Sequence, residues 1–418
     1  MGQAFDTKSG FRRSLTGITA LCLLAACARY HPQPIEPGRS LEDFQARRLD
    51  APELEAFLTQ RGETTRWPPE VWDLHDLTLA ALFFSPVLDA ARARWAVARG
   101  GVLTAGGRPN PTLTAGTGYN ATTSVSDVTP WIPEASLDLP LEIAGRRGIR
   151  IAEARQRSEA ARLNLLSAAW QVRSRVRHAF VSLYVARQTD SLLARQREIR
   201  SETLRILEAR RQAGETSPTE VTRARVSLAE SRVAALDAQQ RAIRARSELA
   251  DALGVPPAAV DQVRLEVSGL AEVDDSVPEA DARRRALLHR SDILASLADY
   301  EASQRALQLE VRKQYPDVSL GPGYQLDQTD TKWTLLLSIS LPLLNRNQGP
   351  IAEAAARREE AAANFLALQS KVLADVEGAV AAARAAVRQL GAADTLLTAL
   401  GRQEATATAA YRVGEISR

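Results

Sequence analysis

The chain reads as mainly α with a small membrane-spanning β part, built twice over. Three observations predict this. The text repeats about 200 residues along: Ile151-Ala152-Glu153-Ala154 returns as Ile351-Ala352-Glu353-Ala354, and Gly214-Glu215-Thr216-Ser217 as Gly414-Glu415-Ile416-Ser417. Leu139-Pro140-Leu141 and Gly118-Tyr119 return as Leu341-Pro342-Leu343 and Gly323-Tyr324, an offset that drifts as loop insertions would make it drift. Within each copy, two segments alternate with period two, and a long stretch then carries apolar residues at three- and four-residue steps.

The N-terminus sets the context. Lys8, Arg12 and Arg13 precede an apolar run from Leu15 to Cys27, which is too short for a bilayer span of roughly 20 residues and reads as a signal peptide over 1–26. The run ends Leu24-Ala25-Ala26-Cys27, which resembles a bacterial lipobox with Cys27 as the acceptor of a diacylglyceryl group. Ala28 in place of Asp resembles the pattern sorted to the outer membrane. The alternative is an ordinary cleaved signal with a chance cysteine. Cys22 leaves with the signal, so Cys27 stays as a lone thiol and neither a disulfide nor a thiolate metal site is expected within one protomer. Residues 27–84 read as a lipidated tether and short helices, the tether marked by Pro32, Pro34 and Pro37.

The first repeat spans 85–253. Its hairpin, 111–141, places Leu113, Ala115, Thr117 and Tyr119 on one face, then Ala135, Leu137, Leu139 and Leu141 against Glu134, Ser136, Asp138 and Pro140. Such segments suit strands with one side in lipid and one in water. Tyr119 and Trp131 flank the loop of this hairpin, Tyr324 and Trp333 that of the second, as aromatics at a membrane interface do. A soluble hairpin with aromatics packed on each other is the competing reading. Pro109, Pro111, Pro140, Pro316 and Pro342 are expected where strand meets helix. Four strands cannot close a transmembrane barrel, whose smallest forms have about eight, so the protomer is expected to share one.

No proline occurs from 145 to 213, and Leu163, Leu166, Trp170, Val176, Phe180 and Leu183 mark a helix on the order of 100 Å long. A turn at Gly214 and Pro218 in the next first turn predict a second, antiparallel helix over 218–253, with a stripe of Val221, Val226, Leu228 and Val233. Residues 254–290 read as a connector. The second repeat, 291–418, carries a hairpin over 316–342 and a long helix over 349–413.

Composition narrows function. Only 5% of residues are aromatic and 25% are charged, thin material for two globular cores. The net charge of +3 comes from arginines alternating with glutamates along helices, a solvated face rather than a nucleic-acid footprint. No G-x-S-x-G, P-loop or H-E-x-x-H occurs, and His31, His75, His178 and His289 are scattered. No enzyme activity, resident metal or cofactor is expected.

Asn110-Pro111-Thr112-Leu113 and Tyr315-Pro316-Asp317-Val318 open the first strand of each copy. Leu139-Pro140-Leu141-Glu142 leads to Gly145-Arg146-Arg147, and Leu341-Pro342-Leu343-Leu344 to Asn345-Arg346. In this order and spacing the chain resembles the TolC family of outer-membrane efflux channels over nearly its whole mature length, with the Leu-Glu-x-x-Gly-Arg-Arg run similar to the cobalt-zinc-cadmium branch. The resemblance implies a homotrimer with a shared 12-stranded β-barrel and a periplasmic α-barrel, acting as a passive conduit. It also implies partners: a periplasmic adaptor protein, an inner-membrane resistance-nodulation-division pump and outer-membrane lipid. The adaptor is expected at two tip turns, Gly214, Glu215, Thr216 and Ser217 in one copy and Gly414, Glu415, Ile416 and Ser417 in the other. Glycines serving simply as turn residues fit equally well. One departure is that the chain stops at Arg418, the position matching Pro218, so the last helix of the second copy is missing and a fragment is expected. The rival from another class is a lipid-anchored periplasmic coiled-coil adaptor or scaffold.

Overall fold

A computed structural model describes residues 29–62, 67–121, 128–266, 279–327 and 330–413. The described residues up to Arg47 form one compact unit and those from Arg48 a second. The first holds helix α1 (Pro37–Gln45), opened by its proline, with the Ser40 hydroxyl donating to the Pro37 carbonyl at 2.9 Å and the Arg47 guanidinium 5.5 Å from the Phe44 ring centre.

In chain order the second unit contains α2 (Pro52–Thr59), α3 (Leu74–Phe84), α4 (Pro86–Gly106), β1 (Thr112–Tyr119), β2 (Trp131–Leu141), α5 (Arg146–Gln212) and α6 (Pro218–Leu253). It continues with α7 (Pro257–Asp261), α8 (Glu279–His289), α9 (Ser291–Arg312), β3 (Val318–Asp327), β4 (Asp330–Ile339) and α10 (Gln348–Arg412). The 67 residues of α5 rise about 100 Å and the 65 of α10 nearly as much. Both are entered through a left-handed residue, Gly145 at φ 69° and Asn347 at φ 63°, the residue types that reach this conformation most cheaply.

The α5–α6 pairing follows a heptad. Val221, Leu228, Ala235 and Leu249 on α6 are buried at multiples of seven, and Ser231, Ala238 and Ala245 form the second buried row. Alternating larger with small side chains lets the two backbones approach closely, and Ser231 satisfies its hydroxyl on the Leu228 carbonyl at 2.8 Å. The structure corrects the single stripe expected from sequence. Val226 and Val233, with Leu236 and Ile243, lie on a different row and are more than half exposed. Helix α6 therefore carries two heptad seams, one of them unpartnered in the protomer, and a linear pattern does not separate them.

The largest core wraps the middle of α5 and the C-terminal end of α6. Leu54, Leu58, Leu77 and Leu88 pack with Val176, Phe180 and Leu183 of α5 and with Leu249 and Leu253 of α6. The stretch read as a connector is part of this core: Val255 and Val260 are buried in it, and Trp72 pairs in parallel with Leu265, donating to the Arg264 carbonyl at 2.7 Å. Gly254 makes the junction possible. It sits at φ 76°, and a Cβ there would lie 2.9 Å from the Phe84 carbonyl oxygen. Smaller cores join α5 to α9 through Ala160, Leu163, Ala295 and Ala298, and α8, α9 and α10 through Ala286, Ile293 and Val372.

The sheet runs β1-β2-β3-β4, antiparallel throughout, so the two copies are joined by the β2–β3 ladder. Pro140, expected at a strand–helix boundary, lies inside β2 opposite Ser319. Pro322 stands in β3, and the β2–β3 pairing lapses at Leu137 and Asp138, which face Pro322 and Gly321 in this register, because proline brings no amide to the ladder.

Candidate functional site

The register turns the alternation of four separate segments into one surface. Leu113 faces Leu137, Ala115 faces Ala135, Leu139 faces Leu320 and Leu141 faces Val318; Val318, Leu320 and Pro322 face Ile339, Leu337 and Leu335. Directly paired residues share a sheet face, so all of these lie on one side. Every residue of β4 is exposed in the protomer, Leu335 at 70% and Leu337 at 63%. The opposite side carries Thr114, Gly116, Gly118, Glu134, Ser136, Asp138, Ser319, Gly321, Gly323 and Ser338, with Ile132, Pro140 and Leu336 as apolar exceptions. Its glycines are spatially required in places: a Cβ at Gly323 would lie 2.6 Å from the Thr334 hydroxyl oxygen.

The four aromatics flanking the hairpin loops come together in pairs. Tyr119 is directly opposite Trp131 and Tyr324 opposite Trp333, with ring centroids 5.1 and 5.0 Å apart in tilted, edge-on arrangements. Each pair contributes about 0.5–1.5 kcal/mol beyond its area. Both sit toward the loop ends of their hairpins, so the sheet ends in a row of four rings, of which Tyr119, Trp131 and Trp333 are more than half exposed and Tyr324 is partly buried.

At the other end of the sheet all four strand–helix crossings are tied together. Helix α5 begins with Arg146, Arg147 and Arg150 and has no acid in its first turn, against the preference of a helix N-terminus for negative charge. The structure supplies the reason. Arg147 Nε donates to the Gly106 carbonyl at 2.8 Å and Arg150 Nε to the Ala105 carbonyl at 2.9 Å, at the negative end of α4. Arg146 donates to the Arg312 and Tyr315 carbonyls beyond α9 and pairs with Asp317. In the second copy Asn347 takes over, its amide donating to the Glu310 carbonyl at 2.8 Å and carboxylate at 2.9 Å. Partial burial alone would raise the Glu310 carboxyl, but hydrogen bonds from Lys313 and Asn347 outweigh it and hold the group below its ordinary range. Sequence reasoning picked out Arg146 and Arg147 only as a motif; the signal for their work was three cations opening a helix.

The far end of α5 reverses through sequence-coded geometry. Gly214 takes φ 79°, Glu215 N–H returns to the Arg210 carbonyl at 2.9 Å and Gly214 N–H to Arg211 at 3.0 Å, a Schellman reversal. Ser217 then caps α6, accepting from Glu220 N–H at 3.2 Å, with Pro218 at the first helical position. Hydrogen bonds from the Thr216 hydroxyl and the Ser217 backbone lower the Glu220 carboxyl. Gly214, Glu215, Thr216 and Ser217 are thus one compact exposed turn. Gly414, Glu415, Ile416 and Ser417 lie outside the described residues, as do Cys27 and the 1–26 leader. Among the described residues no group of His, Cys, Asp and Glu is placed to hold a metal ion, and no single helix is long and apolar enough to cross a membrane.

Comparison with known proteins agrees with this geometry. Residues 79–255 match the family model described as outer membrane efflux protein. The cobalt-zinc-cadmium resistance protein CzcC of Cupriavidus metallidurans is 27% identical over 285 residues, 67% of this chain; the chain spans 65% of that relative's length. Among solved structures, the outer membrane protein VceC of Vibrio cholerae aligns with a TM-score of 0.67 at 21% identity, covering 82% of this chain and 86% of that one. A structure of CusC, described in terms of transmembrane channel formation, aligns at 0.66 and 17% identity over 93% and 90%. These likenesses carry the fold: long helices with a four-stranded antiparallel sheet. The match to the outer membrane efflux protein model covers residues 79–255, from the end of α3 through α6, and so includes the first hairpin and the first pair of long helices.

Proposed function

We propose that the chain is the outer-membrane conduit of a tripartite efflux system, a passive homotrimer whose sheets join into a 12-stranded barrel and whose helices form a periplasmic tunnel. The observation that carries this is the sheet itself: predominantly apolar on one face, predominantly polar on the other, and open at both edges. Strands of 8 to 11 residues are about the length a tilted transmembrane strand needs. In hydrocarbon the unpaired edges of β1 and β4 would each leave a row of amides and carbonyls unsatisfied, at several kcal/mol per group, so neighbouring copies are needed. The unpartnered α6 seam of Val226, Val233, Leu236 and Ile243 supports a second set of subunit contacts along the helices.

The cargo of this reading is a heavy-metal cation, as the name of the Cupriavidus relative suggests. Glu134 and Asp138 on the water side of β2 favour cations in the bore, and passage needs no resident ligand set. The turn at Gly214, Glu215, Thr216 and Ser217, with its counterpart at Gly414, Glu415, Ile416 and Ser417, receives the periplasmic adaptor, and energy comes from an inner-membrane resistance-nodulation-division pump. Cys27 adds a lipid anchor. The repeats 85–253 and 291–418 are the duplicated halves of the conduit.

Paired cysteines tested against this reading are Thr114→Cys on β1 and Thr334→Cys on β4, placed on the two open edges. Oxidation in native outer membranes is expected to give a covalent ladder that stops at three subunits. A ladder that stops at two, or no ladder with the protein released by alkaline wash once Cys27→Ser removes the anchor, favours the scaffold reading and overturns the conduit.

A further inference from the structure

The end of the sheet away from the aromatic pairs is strongly basic. The four crossing segments, 105–112, 141–150, 308–318 and 340–350, hold seven basic and three acidic side chains. Each acid is already paired: Glu142 with Arg150, Glu310 with Lys313 and Asp317 with Arg146. The helix ends do not alter the balance. Two C-termini (α4, α9) and two N-termini (α5, α10) meet here, and their partial charges of about half a unit each cancel. Four cations are left over, and two of them, Arg108 and Arg346, are exposed and pair with no side chain among the described residues. At the loop end the described charged residues within three positions of the hairpin tips are Asp327, Asp330 and Lys332, with Lys332 paired to Asp327.

The surroundings of these cations are those of a membrane boundary. Leu341, Leu343 and Leu344 are 68%, 74% and 101% exposed and run directly into Arg346. The Arg312 guanidinium lies 5.8 Å from the ring centre of Tyr315, itself half exposed. An apolar run ending on a cation, beside a tyrosine, matches the step from acyl chain to phosphate.

We propose that the strand–helix junction is a phospholipid collar, with Arg108 and Arg346 holding the phosphates of anionic lipid in the leaflet on the helix side. This rests on the sheet spanning the membrane. Because the same junction ties all four crossings together, lipid held there steadies the barrel against the helices. Its position between the apolar sheet face and the helices selects a lipid headgroup over a soluble phosphate.

The test uses the full chain reconstituted into phosphatidylcholine vesicles with and without phosphatidylglycerol, reading the phosphatidylglycerol retained on the purified protein. Wild type is expected to enrich phosphatidylglycerol, and Arg108→Gln and Arg346→Gln each to lose about fivefold in that preference, the worth of one cation at an anionic surface. Arg197→Gln with Arg200→Gln, far along α5, is expected to leave it unchanged. Equal retention by wild type and the junction variants overturns the collar while leaving an embedded barrel intact. So does a matching loss in the α5 control, or displacement of the lipid by inorganic phosphate at constant ionic strength. Failure of every protein to embed in either vesicle overturns the spanning sheet, and the collar with it.

Discussion

Helices α5 and α10 are near equals in length and share the Ile-Ala-Glu-Ala text near their starts, yet they lead different lives in the protomer. Helix α5 is gripped along its course by α4, α6, α9 and the midsection core, and seven of its residues are buried. Helix α10 buries Ala354 and Val372, and beyond Val376 no residue of it is buried and Leu390, Leu396, Leu397 and Leu400 are at least half exposed. A helix of this length draws most of its stability from packing rather than from propensity. The lesson is that α10, though rich in alanine, is stable in its distal half only as part of something larger, whereas α5 is finished within one chain.

Predictions follow that difference from strong to weak. Leu249→Ala empties a fully buried position beneath α5 and is expected to cost about 2–5 kcal/mol in a denaturant titration of the detergent-solubilised protomer. Leu397→Ala on α10 should shift the same curve by no more than about 0.5 kcal/mol. Equal costs would mean that α10 is already packed in the protomer. Gly254→Ala places a side chain at positive φ against the Phe84 carbonyl and should cost about 1–3 kcal/mol, seen as early melting of the α5–α6 half while α10 is unaffected.

Val233→Asp sharpens the comparison from the side of assembly. The residue sits on the open seam of α6, so the protomer should fold normally while the concentration for half-dissociation rises roughly tenfold in analytical ultracentrifugation. Unchanged association would remove that seam from the subunit interface. The smallest effect concerns α9, which lies against both long helices. Burial raises the Asp299 carboxyl, and nearby Arg157 only partly offsets it, so the charged form is disfavoured in the fold. A carboxyl with a raised folded value weakens the protein above its unfolded titration. Asp299→Asn should therefore raise the melting temperature at neutral pH, with the gain fading as pH falls from the raised folded value toward the ordinary aspartate range and gone below it. Asp292 behaves oppositely: the Arg290 hydrogen bond lowers it, so its contribution is full at neutral pH and lost only as acid drops below that range.

Much of the fold is legible because its signals are periodic. The period-two runs around Leu137 and Leu335 and the proline-free stretch after Gly145 name strands and helices without help from the rest of the chain. What stayed hidden depends on distant partners. Nothing local marks residues 254–266 as core, since Trp72 and Leu265 meet across nearly 200 residues. The two seams of α6 share one heptad text, and only the presence of α5 says which one is Val221 and Leu228. At the candidate site, the aromatic pairs and the Gly214 turn could be read directly, whereas the arginine ties at the strand–helix crossings required knowing that the carbonyl ends of α4 and α9 arrive there.

The place of β2 and β3 in the middle of the sheet has a last consequence. The two free borders of a protomer are unlike, β1 on one and β4 on the other, and they run in opposite senses. Copies added side by side with a common orientation in the bilayer continue the up-and-down alternation without a break, and like borders cannot meet unless one copy is turned over. In the proposed conduit, growth would therefore be head to tail and would end only on reaching its own beginning, giving a closed ring rather than a face-to-face pair. An inserted or deleted strand in either copy would disturb that parity and leave a ring with two neighbouring strands pointing the same way.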